Sequence, residues 1–446
     1  MLCAFQAKTL RQSSILFSLP QFIDFKNLVP EPECDDLKRR DGFSLTDPGP
    51  GFDFALDQAH YCLFCHDRGK DSCRHGLKNR EGQIDQNPLG EELNGCPLDQ
   101  KISEMNLAFS QGSVLGSLAI AMIDNPLLAA TGHRICQDCS RSCIFQRQEA
   151  VDIPALETEI LKSILRLPWG VEIYTLLTLW NPLKARSFLP KEESGYKVLV
   201  VGLGPAGFGI SHYLTHSGHA VVAIDGLKIE PLPHQCFQPV YCWDDLRDSL
   251  DQRVPAGFGG VAEYGITVRW DKNYLKLIHL ILARRHLFRS FGGVRLGSQI
   301  TIQQALDLGF DHVALCTGAG RPNTIPLKNN LIPGVRQASD FLMALQLMGG
   351  AREASPLNLQ IRLPIVVIGG GLTAVDAATE ALAYYAVQVE QFVKRYEGLL
   401  QDQGGDEETW RHQQKWSEET LEIIDEFLDH GRALRDLRKK QEASYN

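Results

Sequence analysis

The clearest hydrophobic pattern in the chain lies at residues 197–225. The β-branched run Val198–Val201 ends in a glycine turn, a helical stretch follows, and a second apolar run from Ala220 to Ile224 is closed by Asp225. This order of strand, turn, helix, strand and acid is the one that a dinucleotide site requires, with the pyrophosphate at the helix N-terminus and the acid on a ribose hydroxyl. The expected binding residues are Gly202, Gly204, Pro205, Ala206, Gly207 and Asp225.

A second glycine-rich turn occurs further along the chain. The apolar run Ile365–Ile368 leads into a Gly-Gly-Gly-Leu-Thr-Ala sequence, which predicts another strand, turn and helix for a nucleotide. Between the two turns, the strand predicted at Val313–Cys316 leads into a Thr-Gly-Ala-Gly sequence. The expected binding residues in these later segments are Gly318, Gly320, Gly369, Gly371, Thr373 and Ala374.

The segment after the second turn has two interpretations. Residues 387–395 fit a strand whose Lys394 and Arg395 would meet a 2′-phosphate, but Tyr384, Val387, Gln391 and Arg395 also fall at helical spacing. Both alternatives stay open at this stage.

Helical periodicity marks three other stretches, around Gly112–Ile123, at Ile153–Leu165 and from Trp416 to Lys440. In the last of these, Ile424, Phe427, Leu428 and Leu434 share one side. Together with the strand and turn patterns, these helices predict an α/β protein, in which a helical N-terminal region precedes a Rossmann-type domain and a partial second nucleotide domain.

Composition and charge narrow the class of protein. With 446 residues the chain is too long for one core, and a net charge of −9 argues against nucleic acid as the main partner. The longest apolar runs are about ten residues, half of what a bilayer requires, so we expect no membrane insertion. The N-terminal segment has no continuous apolar core and no small-residue cleavage site, which favours a cytoplasmic protein over a targeted one.

Seven of the twelve cysteines lie between Cys62 and Cys143, and clustering of this kind indicates a metal or redox site before disulfides. Thiolates suit iron–sulfur clusters or zinc, and a cysteine followed by proline after a first group of three favours the clusters. A zinc-stapled scaffold is the alternative. The expected ligands are Cys62, Cys65, Cys73, Cys96, Cys136, Cys139 and Cys143.

The seven cysteines are one ligand short of two four-ligand clusters, and Glu157 is the candidate for the eighth position. It falls beside the apolar stripe of the helix predicted at Ile153–Leu165, where a carboxylate usually has a partner. The alternative is that Glu157 lies in the first helical turn, where the helix dipole favours an acid.

These motifs, in this order, resemble the small subunit of glutamate synthase and the N-terminal part of dihydropyrimidine dehydrogenase over about residues 55–385. The resemblance also includes Asn125-Pro126, Gly259-Gly260, Tyr264-Gly265-Ile266 and Pro333-Gly334-Val335. It implies FAD at the first turn, NADPH or NADH at the second, two [4Fe–4S] clusters, and a cofactor contact at Gly260. One cluster would take Cys62, Cys65, Cys73 and Cys143, and the other Cys96, Cys136, Cys139 and Glu157, where the dehydrogenase family has a glutamine.

The sequence departs from the family pattern in several places. The spacing from Cys65 to Cys73 and the insert before Cys96 are wider than usual, and Thr267 replaces an expected proline. No final strand with a Gly-Asp pair follows the second turn, so we expect a fragment or a chain that needs a partner polypeptide. The expected domains are an N-terminal segment (1–54), a double-cluster domain (55–168), a connector (169–196), an FAD domain (197–360), a partial NAD(P) domain (361–395) and a charged helical tail (396–446).

The sequence therefore predicts an oxidoreductase that takes electrons from a nicotinamide cofactor through FAD and the clusters to a partner subunit or domain. No general acid or base stands out from the sequence, so the catalytic residues stay unknown. The alternative function is a non-catalytic electron-transfer or assembly module that binds FAD and clusters but cannot use NAD(P)H. Neither interpretation identifies the final acceptor.

Overall fold

The computed structural model describes residues 42–43, 45, 49–131, 136–184, 189–227, 229–254, 256, 271–319, 322–357 and 359–444. The described residues fall into two compact units. One is drawn from Asp47–Ser249 and Arg253–Pro322, and the other from Asn323–Asn446 with Leu250–Gln252 and Met1–Thr46. The domain bounds expected from the sequence stay predictions.

The first half of the first unit is helical and contains the seven clustered cysteines. Helices α3 and α4 pack on each other, and α7 packs against α1, α4 and α8. The helices of this part are α1 (Phe52–Tyr61), α2 (Ser72–His75), α3 (Ile102–Ser110), α4 (Val114–Asp124), α5 (Leu128–Thr131), α6 (Asp138–Arg141), α7 (Ile153–Leu165) and α8 (Gly170–Leu179).

Helix α7 is the centre of this helical part. Asp152 precedes it and its carboxylate accepts a hydrogen bond from the N–H of Ala155 at 3.0 Å, so the helix begins where the sequence predicts. Ile153, Leu156 and Ile160 are each no more than 1% exposed, which places the predicted stripe in the core. Helix α8, in contrast, lies where the sequence suggested only a connector.

The second half of the first unit is a four-stranded parallel sheet with helices packed on it, which confirms the α/β class. The strand order is β3-β2-β1-β4, so β1 pairs with β2 on one side and with β4 on the other. The elements are β1 (Lys197–Val201), α9 (Pro205–His216), β2 (Ala220–Asp225), α10 (Asn273–Ala283), β3 (Phe288–Gly292), α11 (Ile302–Asp307) and β4 (His312–Leu315).

The C-terminal end of α9 is held by a buried arginine. Arg285 donates to the carbonyl oxygen of His212 at 3.0 Å and to the hydroxyl of Thr215 at 2.7 Å. Carbonyl groups at a helix C-terminus carry partial negative charge and attract a cation. Burial lowers the pKa of Arg285 to about 10, so the guanidinium stays charged at neutral pH and stabilises this end of α9.

The second unit is built on two long helices, α13 (Leu372–Asp402) and α15 (Glu418–Ser444), with α12 (Ala338–Gln346) and α14 (Glu407–Gln414) beside them. Tyr385 and Val389 of α13 pack against Phe427 and Leu434 of α15. A second cluster joins residues of α13, α14 and α15, namely Val393, Tyr396, Trp410, Ile424 and Leu428. The amphipathic helix predicted from Trp416 to Lys440 is thus present, and its four predicted apolar residues are buried.

The structure corrects the strand prediction in this unit. Ile365–Ile368 belongs to no sheet among the described residues, and Val366 and Ile368 are 68% and 61% exposed. Residues 387–395 are part of the continuous helix α13, so the helical alternative is correct there. Across the described residues, no helix has the length and apolar character that crossing a membrane would require.

The packing of α13 on α15 supports a stability prediction. Replacing Phe427 by Ala removes a ring that is 3% exposed, and we expect a loss of about 3–5 kcal/mol in the free energy of unfolding of this helix pair. Amide hydrogen exchange in α13 and α15 would measure the loss. The matched control is Leu437→Ala on α15, which is 47% exposed and should change the same free energy by about 0.5 kcal/mol or less. Equal effects of both changes would contradict the packing described here.

Candidate functional site

The first glycine turn lies at the switch point of the sheet. All strands are parallel, so their carboxyl ends share one edge, and β1 lies between β2 and β4. The N–H of Gly202 donates to the carbonyl oxygen of Ile224 at 2.7 Å, and the N–H of Cys316 donates to that of Val201 at 2.7 Å. Ligands of open α/β sheets bind at such a point.

Two glycines of this turn are required by close contacts. Gly202 has φ +100°, and a Cβ there would lie 2.3 Å from the carbonyl oxygen of Cys316. A Cβ on Gly207 would lie 1.9 Å from the carbonyl oxygen of Gly202. No side chain fits either position, because both distances are far inside van der Waals contact. The glycines therefore bring the N-terminus of α9 against the end of β1.

The N-terminus of α9 is open towards solvent. Gly204 is the residue before the helix, no side chain caps it, and Pro205 and Ala206 are exposed. The first N–H groups of a helix have no partner within the helix and, together with the helix dipole, favour an anion. The geometry of Gly202, Gly204 and Gly207 therefore fits a pyrophosphate.

Asp225 at the end of β2 supports the turn through both carboxylate oxygens. Oδ2 accepts from the N–H of Leu203 at 2.7 Å, and Oδ1 accepts from the N–H of Leu227 at 2.8 Å. Burial raises the pKa of this carboxyl, while the two N–H groups and Arg295 oppose the rise. Each carboxylate oxygen retains a second lone pair, so a ribose hydroxyl could still donate to Asp225.

The structure describes only one of the three other glycines predicted to bind at this first site. Gly318 follows β4 at the same edge of the sheet, is exposed and has φ +67°. Gly260 and Gly320 lie outside the described residues. The side chain of Arg295 lies over Gly226, where a Cβ would be 3.1 Å from its Nε. This places a positive charge beside Asp225.

The second glycine turn opens helix α13. Gly369 has φ +141°, and Gly371 precedes the helix without a side-chain cap. Both glycines are exposed, and Thr373 and Ala374 are half-buried in the first turn of the helix. This end of α13 has open N–H groups of the kind that bind phosphate.

Lys394 and Arg395 do not belong to this turn. They lie more than twenty residues along α13, about 33 Å from its N-terminus at a rise of about 1.5 Å per residue. Lys394 forms an ion pair with Glu353, and Arg395 donates to the backbone carbonyl of the same residue. The 2′-phosphate contact proposed for the strand alternative is therefore wrong.

Four cysteines from separate parts of the chain line one cavity in the helical part. Cys62 follows α1, Cys65 begins a short 3-10 helix, Cys73 lies in α2 and Cys143 follows α6. The cavity has a volume of about 330 Å³ including its open mouth. These are the four residues that the family resemblance assigns to one cluster.

The thiols of this cavity interact with one another. Burial is the largest cause that raises the pKa of Cys62 and of Cys65, and neighbouring thiolates add to it, Cys143 in both cases. Burial also raises the pKa of Cys73 far above its usual range, and the adjacent Asp71 adds to the effect. Four thiolates can share this cavity only if a bound positive charge offsets their repulsion.

A second group consists of Cys96, Cys136, Cys139 and Glu157. Burial is the largest cause that raises the pKa of the Cys139 thiol, and the charges of Glu157, Cys96 and Cys136 raise it further. The N–H of Cys96 donates to the carbonyl oxygen of Cys73 at 2.9 Å, so the two groups are connected through the backbone.

Glu157 is buried at 6% exposure, and its Oε1 accepts from Nε2 of Gln100 at 2.7 Å. It lies beyond the first turn of α7, whose first turn contains no acid. The helix-dipole explanation is therefore wrong, and the carboxylate faces Gln100 and the second cysteine group. Burial raises the pKa of Cys96, while the backbone N–H groups of Gln100 and Leu98 lower it by donating to its sulfur.

As the structure describes them, neither cysteine group has the arrangement of a site for a single metal ion. Among the described residues, no three His, Cys, Asp or Glu side chains converge as ligands of a single metal ion. The cavity lined by four thiols would instead suit an iron–sulfur cluster. Four cysteine thiolates are the usual ligands of a [4Fe–4S] cluster. Cys236 is buried and Cys242 is exposed, and all ten described cysteines are free thiols.

Three polar residues around the cysteines escaped the sequence analysis. Ser103 and Asn106 line the cavity of the first group, and Gln100 contacts Glu157. All three are buried, at 2% exposure or less. Each is a polar residue in or beside the apolar helix α3, and hydrophobic periodicity gives no signal for such positions.

Comparison with known proteins agrees with the family resemblance. Residues 196–409 match the family model described as pyridine nucleotide-disulphide oxidoreductase. This region contains the sheet with the first glycine turn, and also the second turn with all of α13.

Individual relatives are longer than this chain. An uncharacterized protein of Rickettsia prowazekii is 51% identical over 316 residues, which cover 71% of this chain and 43% of that protein. Glutamate synthase [NADPH] small chains of Mycobacterium tuberculosis and Bacillus subtilis are each 26% identical. Those matches cover 67% and 69% of this chain, and 54% and 55% of the relatives. The chain thus spans about half the length of the curated relatives it matches.

The steric requirement at the first turn supports a binding prediction. We expect Gly207→Ala to abolish FAD binding, because the new Cβ would force α9 away from Gly202 and displace the anion site. The flavin content of the purified protein and the dissociation constant of added FAD would measure this loss.

The matched control is Gly209→Ala in the same helix, where a Cβ meets nothing within 4 Å. This variant should bind FAD as the unaltered chain does and gain slightly in helix stability. Normal flavin content in Gly207→Ala would contradict a dinucleotide site at this turn.

Proposed function

We propose that this chain is a flavin oxidoreductase. Its residues 196–409 match the family model described as pyridine nucleotide-disulphide oxidoreductase, and it is similar to glutamate synthase small chains. In this proposal the chain binds FAD at the first turn and a nicotinamide cofactor at the second, and holds two [4Fe–4S] clusters. When bound, FAD would take hydride from the nicotinamide cofactor, and the clusters would supply single-electron transfer to an acceptor on another subunit or domain.

The FAD part of the proposal is supported by the geometry of the first turn. Gly202 and Gly207 bring the open N-terminus of α9 to the switch point of the sheet, and Asp225 lies at the end of the next strand. These residues would bind the pyrophosphate and orient the ribose. Asp225 also fixes the turn itself, through its bond with the N–H of Leu203.

One observation supports the iron–sulfur clusters of this proposal. Cys143, seventy residues after Cys73, lines the same cavity as Cys62, Cys65 and Cys73. This is the division of cysteines that the resemblance implies, and linear spacing alone would not group them in this way. The residues that would hold the first cluster are these four cysteines, and those for the second are Cys96, Cys136, Cys139 and Glu157.

Glu157 has a proposed role of its own. Its carboxylate is the acidic member of the second group and accepts from Gln100, whose Oε1 in turn accepts from Nδ2 of Asn125 at 3.5 Å. A ligand carboxylate is usually oriented by hydrogen bonds from residues that do not touch the metal. Gln100 would therefore orient the Glu157 carboxylate beside the second cysteine group.

A second candidate function has a specific observation in its favour. The apolar run before the second turn belongs to no sheet among the described residues, and Lys394 and Arg395 lie far from that turn. A nicotinamide site normally has a strand beside its turn whose end binds the ribose. The alternative is thus an electron-transfer module that holds FAD and clusters and does not use NAD(P)H.

Iron analysis tests the clusters. We expect about eight iron and eight sulfide per anaerobically prepared chain, and about half of each in Cys143→Ala, because one cluster loses a ligand. The control is Cys242→Ala, which changes an exposed cysteine outside both groups and should keep the full content. Stoichiometric zinc in place of iron would support the zinc-stapled scaffold instead.

Anaerobic reduction separates the two functions. We expect NADPH or NADH to bleach the flavin of the FAD-loaded chain. Gly371→Val should abolish this reduction, because a branched side chain at this exposed position would occupy the space in which a phosphate approaches the N-terminus of α13. Dithionite should bleach the flavin in both proteins and so confirms that FAD is bound. A flavin that responds to dithionite but to neither nicotinamide would favour the electron-transfer module.

A further inference from the structure

Arg295 lies on the outward side of the segment that follows β3. Its two neighbours, Val294 and Leu296, pack on the apolar cluster that includes Val201 of β1 and Ile224 of β2. Side chains of an extended segment alternate between two faces. Arg295 therefore points away from this cluster, and the residue is exposed.

The backbone of this segment is fixed next to the end of β2. The N–H of Val294 donates to the carbonyl oxygen of Asp225 at 2.9 Å. Gln299 closes the loop that follows, because its Oε1 accepts from the N–H of Arg295 at 3.0 Å. Arg295 is consequently placed beside the residue whose carboxylate is expected to bind a ribose.

The guanidinium of Arg295 lies over Gly226, the residue after Asp225. A Cβ on Gly226 would be 3.1 Å from Nε and 3.6 Å from Nη2 of Arg295, so the missing side chain leaves room for the guanidinium against the backbone. In the part of the chain that the structure describes, this guanidinium has no ion pair or hydrogen bond. Its position disfavours a solvated surface charge, because the charged group lies against the backbone beside the acid.

The chemistry of adenosine indicates what a guanidinium at this place would contact. The acid at the end of the second strand binds the 2′-hydroxyl of the ribose, and the next carbon of that ribose carries the adenine. A group beside Asp225 is therefore within reach of the base. The planar, positively charged guanidinium of arginine stacks favourably on aromatic rings.

We propose that Arg295 is a binding residue for the adenine of FAD at the first turn, where its guanidinium stacks on the face of the base. The N-terminus of α9 would bind the pyrophosphate, Asp225 the ribose and Arg295 the base. The third contact makes the site prefer an adenine dinucleotide to other diphosphates. The inference rests on the proposed function, since it requires a dinucleotide at this turn.

Equilibrium binding to the full chain, with its flavin removed, tests this contact, and the probes are FAD, ADP and UDP. ADP and UDP carry the same diphosphate and ribose and differ in the base. We expect the unaltered chain to bind ADP more tightly than UDP, because a purine offers the larger face for stacking. In Arg295→Ala the dissociation constants of FAD and ADP should rise about three- to thirtyfold, the range for a cation on an aromatic ring, and that of UDP should rise less.

Two further variants separate stacking from charge. Arg295→Lys keeps the positive charge but lacks the flat face, so it should lose most of the same affinity for FAD. The matched control is Arg289→Ala on β3, which removes an equal charge from an exposed residue. Nη1 of Arg289 donates to the carbonyl oxygen of Phe288 at 2.7 Å, and this variant should bind FAD as the unaltered chain does.

An unchanged dissociation constant for FAD in Arg295→Ala overturns the proposal. Full affinity in Arg295→Lys, or equal losses for ADP and UDP in Arg295→Ala, would also overturn it, because charge alone would then explain the effect. If the unaltered chain binds neither FAD nor ADP, the proposed function itself fails at this turn. A chain that binds FAD equally well with and without Arg295 leaves that function standing and removes only the adenine contact.

Discussion

The position of β1 between β2 and β4 is the constraint on which the nucleotide-binding half depends. Five residues of β1 pair in register with β2 and four pair with β4, so the chain can leave β1 only between the ends of its neighbours. That exit is so narrow that Gly202 and Gly207 cannot carry a side chain. Helix α9 consequently begins at the switch point, with its positive end outward and its negative end fixed by Arg285.

The cysteine region is organised differently, because its seven cysteines lie on separate short helices and turns. Short helices and turns bring Cys62, Cys73 and Cys143 to one cavity, and α3 and α7 form the apolar support behind them. The backbone bond between Cys96 and Cys73 joins the two cysteine groups. Burial of so many thiols is unfavourable for their charged form, so this region is stable with thiolates only when a positively charged group is bound.

Sequence patterns predicted the local elements better than the partners of those elements. The strand, turn and helix from Val198 to Asp225, the stripe of α7 and the apolar face of α15 follow from periodicity, and the structure confirms them. Ile365–Ile368 has the composition of a strand, but a strand exists only with a neighbour, and the described residues provide none. Residues 387–395 are helical because Val389 and Val393 pack on α15, which local propensity could not reveal. Asn106 and Gln100 could not be predicted, because a polar residue in or beside an apolar helix has no periodic signature.

The exposed run at Ile365–Ile368 has a consequence for the behaviour of the chain in solution. Val366 and Ile368 present large β-branched side chains to solvent beside a backbone that joins no sheet among the described residues. Apolar segments that are exposed and paired in no sheet are templates for β-pairing between molecules. We therefore expect self-association through this segment to increase with protein concentration. A charged residue in place of Val366 would oppose that self-association.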